Sequence, residues 1–156
     1  MRQVIGKIES FAVEREITQT TPYFIGHLCL WIGGISLGAY EDEVMLSSVK
    51  AVLDSTIAIL DKRQNADFLK LEKNDLFNLM YNGEFDNSLY LLHLAESFDD
   101  FSLFTFTVDD EIHFVWKLHD NPFFTYPNYP KEIIHKKVKI SEFKDVIEDK
   151  ELWRSC

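Results

Sequence analysis

The chain has little from which to build a covalent or metal-held framework. It carries two cysteines in 156 residues, Cys29 inside an apolar run and Cys156 at the last position. That spacing indicates neither a disulfide scaffold nor a paired thiolate site; Cys29 reads as a small buried hydrophobe and Cys156 as a free thiol. No apolar stretch reaches the ~20 residues of a bilayer span. Glu9, Glu14 and Glu16 break the opening segment, which removes the apolar centre that a secretory leader needs and makes the cytoplasm the expected compartment. The six glycines include no GxGxxG or GxxxxGK[ST] spacing, and no GxSxG elbow occurs. None of the five histidines, His27, His93, His113, His119 and His135, forms an HxH, HExxH or HxxxH pair, so they read as scattered structural or surface residues. No catalytic residue, metal or cofactor is assigned on these grounds.

Positive charge is also scarce. Sixteen Lys and Arg stand against 26 Asp and Glu, for a net charge of −10. Such a surface repels phosphate backbones and anionic lipid, which argues against nucleic acid or membrane as direct partners and favours a basic protein partner. Acidity for solubility alone is the other reading.

What is plentiful is core material. Hydrophobic residues make up 46% and aromatics 14%, enough for one domain over residues 1–156 that buries about 70% of its unfolded surface. The densest stretch is Glu96–Pro130. Phe104, Phe106 and Val108, then Ile112, Phe114, Trp116 and Leu118, alternate with other residues at the period of strands. Both runs are apolar at even numbers. If one face is buried, even must oppose even, which requires a three-residue turn, Asp109-Asp110-Glu111, with pairs Val108–Ile112, Phe106–Phe114 and Phe104–Trp116. A two-residue turn would put Phe106 opposite His113 and split that face, and is rejected on this premise.

Upstream, Val4 to Ile17 reads as a first strand, with Phe11, Val13 and Ile17 on one face, interrupted by Arg15. A second hairpin turns on Gly33-Gly34, which pairs Ile32 with Ile35 and Leu30 with Leu37 and leaves Trp31, Cys29 and His27 on the opposite side. Leu46, Val49, Val52, Leu53, Ile57 and Leu60 recur at helical spacing, predicting a helix from Ser47, as N-cap, to about Lys62. Asn74–Tyr81 reads as a short helix stopped near Gly83, and Leu89–Leu94 as a short strand, although a buried helical turn fits the same pattern. Asn121–Pro130, with three prolines and four aromatics, is an ordered loop. Ile133–Ile140 reads as an edge strand guarded by Lys136, Lys137 and Lys139, and Ser141 as the cap of a final helix with Phe143, Val146 and Ile147 inward. The class is α+β, a mostly antiparallel sheet with two main helices packed on it.

Three carboxylate clusters stand out: Glu41-Asp42-Glu43, Asp99-Asp100 and Asp109-Asp110-Glu111. Paired carboxylates suit a divalent metal or a glycosidase, but all three fall at turns or element ends, where local hydrogen bonding and the positive end of a helix dipole also account for them. As loop charges on a rigid sheet they also suit recognition of a basic cleft. Tyr126 and Tyr129, with Phe123 and Phe124, are either a binding platform or a lid folded onto the core.

The segments ESFDDF, HFVWKL and NPFFTYPNYP, with FAVEREI and HLCLWIGGISLG upstream, resemble small bacterial immunity proteins of polymorphic-toxin and contact-dependent inhibition systems, most nearly immunity protein family forty-two. The resemblance spans Phe11–Gly38 and Glu96–Pro130 and contains no catalytic constellation. It implies a non-enzymatic protein that binds and neutralises a cognate toxin C-terminal domain. A basic, cytoplasm-acting nuclease suits the charge. Glu41, Asp42, Glu43, Asp99, Asp100, Asp109, Asp110, Glu111, Tyr126 and Tyr129 are the candidate contacts argued from this chain. A small enzyme or ligand-binding module using one acidic cluster, or an adaptor subunit, is the alternative.

Overall fold

A computed structural model describes residues 1–83 and 86–154; Cys156 lies outside them. The first sheet contains β1 (Gln3–Gly6), β2 (Phe11–Gln19), β3 (Ile25–Ile32) and β4 (Ile35–Leu37) in that spatial order, all antiparallel, with β5 (Val44–Met45) also paired to β3. The single strand expected over Val4–Ile17 is therefore two. The chain reverses after Gly6, where the Phe11 carbonyl accepts the Lys7 amide at 2.9 Å, and Ile5 comes to lie opposite Val13.

Phe11, Val13 and Arg15 on β2 face the core, opposite Ile32, Leu30 and Leu28 on β3. Arg15 is accommodated there because its guanidinium donates to the backbone carbonyls of Leu152 (3.1 Å), Glu151 (2.6 Å) and Arg154 (3.3 Å), which ties the last described turn to the sheet. The Gly33-Gly34 hairpin has the expected register, Ile32↔Ile35 and Leu30↔Leu37. Both glycines have positive φ, 57° and 83°, as a two-residue turn between twisted strands requires.

The second sheet has order β6 (Phe101–Val108), β7 (Glu111–Leu118), β8 (Ile134–Lys139), again antiparallel. Its hairpin corrects the parity reading. Val108 pairs with Glu111, Phe106 with His113, Phe104 with Val115 and Leu103 with Trp116, around a two-residue Asp109-Asp110 turn with φ of 53° at Asp109. The premise of one buried face is what fails. Leu103, Ile112, Phe114 and Trp116 enter the main core. Phe104, Phe106 and Val115 point the other way, into a second cluster with Phe68, Leu76, Phe77 and Met80. A sheet covered on both faces carries no in-out alternation from which to read register.

Both helices that flank the main core grow directly from strands. α1 (Leu46–Ala58) follows β5 without a gap, and its first amide, Leu46, donates to the Phe24 carbonyl at 2.8 Å. α3 (Ile140–Ile147) likewise continues β8, and the Ile140 amide donates to Asp110 O at 2.8 Å. The N-cap positions are Met45 and Lys139, without side-chain caps, and not Ser47 and Ser141. Neighbouring backbone satisfies the first orphan donor of each helix, and no side chain caps the amides that follow. α1 also ends before Lys62, tightening into a 3-10 turn over Leu60–Arg63. There Thr107 Oγ1 donates to Leu60 O at 2.8 Å and the Asn65 amide to Thr107 O at 2.9 Å, drawing the chain onto the edge of β6.

The short helix α2 (Lys73–Asn82) buries Leu76, Phe77 and Met80 against that sheet and stops at Gly83, as expected. Leu89–Leu94 is not a strand. It makes one bridge, Leu91↔Phe104, and two flanking hydrogen bonds, Thr105 N to Tyr90 O (2.8 Å) and Leu92 N to Leu103 O (3.0 Å), while Leu92 and Leu94 anchor in the core. The two sheets and α3 meet at Phe11, Phe114 and Phe143, whose ring centroids lie 5.0 to 6.1 Å apart. Aromatic contacts of this kind add ~1 kcal/mol each beyond area burial.

Candidate partner interface

The aromatic loop is held by Asp100. This carboxylate is 7% exposed and accepts the Phe123 amide (2.7 Å), the Phe124 amide (3.0 Å) and the Tyr126 hydroxyl (2.9 Å). Burial opposes its ionisation, but these donors outweigh burial and hold its carboxyl below the usual carboxylate range. Tyr126 is pushed upward in turn, by burial first and then by Asp100. Tyr129 bridges the two sheets: its hydroxyl accepts Trp116 Nε1 at 3.0 Å and donates to Ser36 O at 2.6 Å. Burial raises it to about 12. Both tyrosine rings pack on Phe101, at 5.1 and 5.5 Å. The structure thus brings Asp100, Tyr126 and Tyr129 together as a latch whose polar groups are used internally. Phe123, 86% exposed, is the aromatic of this loop that faces solvent.

The other acids separate into two groups, at opposite ends of β6 and so roughly 25 Å apart at ~3.3 Å per residue. At one end the Ala39 amide donates to Ser97 O at 2.7 Å, clamping the Glu41-Asp42-Glu43 loop beside the 3-10 turn Glu96–Phe98. Glu41, Glu43, Glu96 and Asp99 are exposed there, with Asp42 half-buried. Glu43 accepts Thr18 Oγ1 at 2.7 Å and lies 3.9 Å from His27 Nε2; Asp99 Oδ1 lies 2.6 Å from His93 Nε2. At the other end are Asp109, Asp110 and Glu111. Glu111 is paired with Lys137 at 3.3 Å and faces Lys139 in the register, so the lysines of β8 offset the charge of the tip. Among the described residues, no group of three or more His, Cys, Asp or Glu is arranged to hold a metal ion.

Two further buried polar groups serve the fold. Glu14, on the outer face of the first sheet, is held by Arg2 and by Trp31 Nε1 at 2.9 Å. Burial opposes its ionisation, and these donors reverse that and lower its pKa. The neighbouring Cys29 thiol is pushed up to about 12 by burial and by Glu14, which makes it a poor nucleophile. His113, stacked on Phe106 and 2.9 Å from His135, is lowered to about 4, mainly by burial.

Against this geometry, the model of the family described as Immunity protein 42 matches residues 1–153. The chain belongs to the Immunity protein 42 family. A search of curated proteins gave no significant match. The fold is similar to the crystal structure of CdiI from Burkholderia dolosa AUO158, with a TM-score of 0.71 at 17% identity over 94% of this chain and 97% of that one. At that identity the likeness is one of fold.

Two residues outside the candidate contacts also shape the charge of this region, exposed Glu96 and buried Arg63. Glu96 joins the acidic rim because the 3-10 turn places it three residues before Asp99. Arg63 is buried at the foot of α1 with no carboxylate beside it among the described residues. An arginine at a helix end ordinarily reads as a solvated cap, so nothing in its neighbours marks it. No helix among the described residues is long and apolar enough to cross a membrane.

Proposed function

We propose that this Immunity protein 42 family member binds a cognate toxin C-terminal domain in the cytoplasm and neutralises it stoichiometrically, without catalysis, by covering the toxin's active or substrate-binding surface. The observation that carries this reading, beside the family, is the acidic rim formed by Glu41, Glu43, Glu96 and Asp99, which faces solvent without a lysine or arginine paired to it among the described residues. A basic, phosphate-holding cleft of a nuclease is the surface such a rim complements. The Asp109-Asp110-Glu111 tip is a weaker contact in this reading, since β8 supplies its counter-charge.

The test is to co-express the chain with the toxin domain encoded beside it. The expected outcome is a one-to-one, salt-sensitive complex that restores growth. The triple change Glu43→Lys, Glu96→Lys, Asp99→Lys should weaken Kd about 100-fold at low salt, largely through slower association, whereas Asp109→Lys with Asp110→Lys should change it about threefold or less. Equal losses from rim and tip, or a wild-type complex that fails to form, would overturn the reading.

A further inference from the structure

Two cavities lie end to end along one flank of α1. The first, about 320 Å³, is bounded by Glu43, Ser48 and Glu96; the second, about 410 Å³, by Ala51, Ser55, Leu91 and Arg63. Ser48, Ala51 or Val52, and Ser55 are successive turns of one helix face, and the opposite wall is the continuous segment Ser88–Glu96. Together they form a groove about as long as α1, roughly 20 Å for its 13 residues at ~1.5 Å each. Its ends differ in sign. Glu43 and Glu96 stand at one end and Arg63 at the other.

The Arg63 end is chemically incomplete. The side chain is 4% exposed, and its Nη1 donates to Thr105 Oγ1, to Tyr90 O at 3.3 Å and to Thr105 O at 3.5 Å. Every one of these acceptors is neutral. Nε is buried without an acceptor. A guanidinium withdrawn from water onto neutral acceptors, with a donor left over, is poorly compensated, and a carboxylate is the group that matches its charge and its spare donor. Between the charged ends the groove is lined by Val52, Ile59 and Leu91, the last 46% exposed.

We infer that the groove between α1 and Ser88–Glu96 seats a segment of the bound toxin that carries an Asp or Glu side chain onto Arg63 and a Lys or Arg, about 20 Å away, between Glu43 and Glu96. This rests on the toxin-binding reading and deepens it: the acidic rim is one end of a polarised groove. It also fixes the direction in which the segment lies, since reversing it would place like charges together at both ends.

The Arg63 end is testable without the toxin. In 15N-labelled full-length protein, the Arg63 Nε–H resonance is followed while propionate, and separately the neutral isostere propionamide, is added at constant ionic strength. Propionate should shift the resonance saturably, with half-saturation near ~10 mM, a scale suited to a ligand of five heavy atoms. Propionamide should bind about tenfold more weakly or not at all. Ser55→Trp, at an exposed position on the groove wall, keeps Arg63 and fills the cavity, so it should abolish the response while preserving the rest of the spectrum. Absence of a saturable shift, an equal response to propionamide, or an unchanged response in Ser55→Trp would overturn the carboxylate site. The same Ser55→Trp protein should bind the toxin at least about tenfold more weakly. If toxin binds wild type and Ser55→Trp alike, the groove is overturned while the toxin-binding reading stands; if toxin binds neither, it is that reading that fails.

Discussion

Replacing Asp100 by alanine removes the acceptor shared by two loop amides and one hydroxyl. Each hydrogen bond to a charged acceptor contributes ~1.5–3 kcal/mol, and the distances of 2.7, 3.0 and 2.9 Å are all within the strong range. The loop lies at the surface, so water recovers part of the loss, and ~3–4 kcal/mol is the expected net cost of Asp100→Ala. Asp100→Asn retains one oxygen: it keeps either the Phe123 contact or the Phe124 and Tyr126 contacts and turns an NH2 group toward the other donors, for ~2 kcal/mol. Tyr126→Phe loses a single bond and should cost ~1 kcal/mol. Urea unfolding followed by tryptophan fluorescence, with m near ~2 kcal/mol/M for a chain of this size, converts these to midpoint shifts of ~1.5–2, ~1 and ~0.5 M. The ranking Ala, Asn, Phe is the diagnostic. An Asp100→Ala midpoint within ~0.3 M of wild type would show that the carboxylate is not the latch. The Asp100 carboxyl is depressed in the fold, so its contribution is present above the unfolded value near ~3.9 and disappears as pH falls through the folded value.

His113 supplies a second acid-sensitive term, through the opposite charge change. Its folded pKa is about 4 against an ordinary 6.5, so the unfolded chain takes up the proton first, and stability present above pH 6.5 declines down to pH 4 by up to ~3 kcal/mol. His135, also lowered, by burial and by Lys137 and Lys73, adds in the same direction. His113→Phe, which retains the stack on Phe106, should flatten the stability curve between pH 6.5 and 4, and an unchanged slope in urea titrations across that range would refute the assignment. Gly38 has φ of 106°, and a Cβ there would meet the Phe98 ring at 2.9 Å. Gly38→Ala should therefore cost ~2–4 kcal/mol in the same assay, from the backbone and the clash together.

The elements were legible in the sequence wherever a local pattern reflected one buried face or one local turn. The Gly33-Gly34 hairpin needs only its own parity and its glycines, and α2 and the inward residues of α3 follow from helical spacing. Register in the central hairpin was not legible, because Phe104 and Phe106 on β6 serve a different core from Phe114 and Trp116 on β7. Helix starts failed for a related reason: acceptors distant in sequence, Phe24 O just before β3 and Asp110 O in the β6–β7 turn, hold the first amides of helices that begin without a serine cap. The acidic clusters were visible, but their roles depend on partners far away in sequence. Asp100 is consumed by residues more than 20 positions on, and Arg63 is surrounded by carbonyls from Tyr90 and Thr105.

The proposed interface requires that the Glu41-Asp42-Glu43 charge not be neutralised within the fold. Three carboxylates just ahead of a helix are ordinarily explained by its dipole and its unsatisfied amides. Here that explanation is incomplete. α1 has no acidic residue in its first turn and no side-chain cap, and its Leu46 amide is taken by Phe24 O across the sheet. Dipole effects fade within a turn, and Glu43, the carboxylate nearest the helix, is turned toward Thr18 and His27 on the neighbouring strands. Pairing β5 to β3 therefore leaves α1 started by backbone alone and its flanking carboxylates without a lysine or arginine among the described residues, on the rim that Glu96 and Asp99 complete from the other side of the groove.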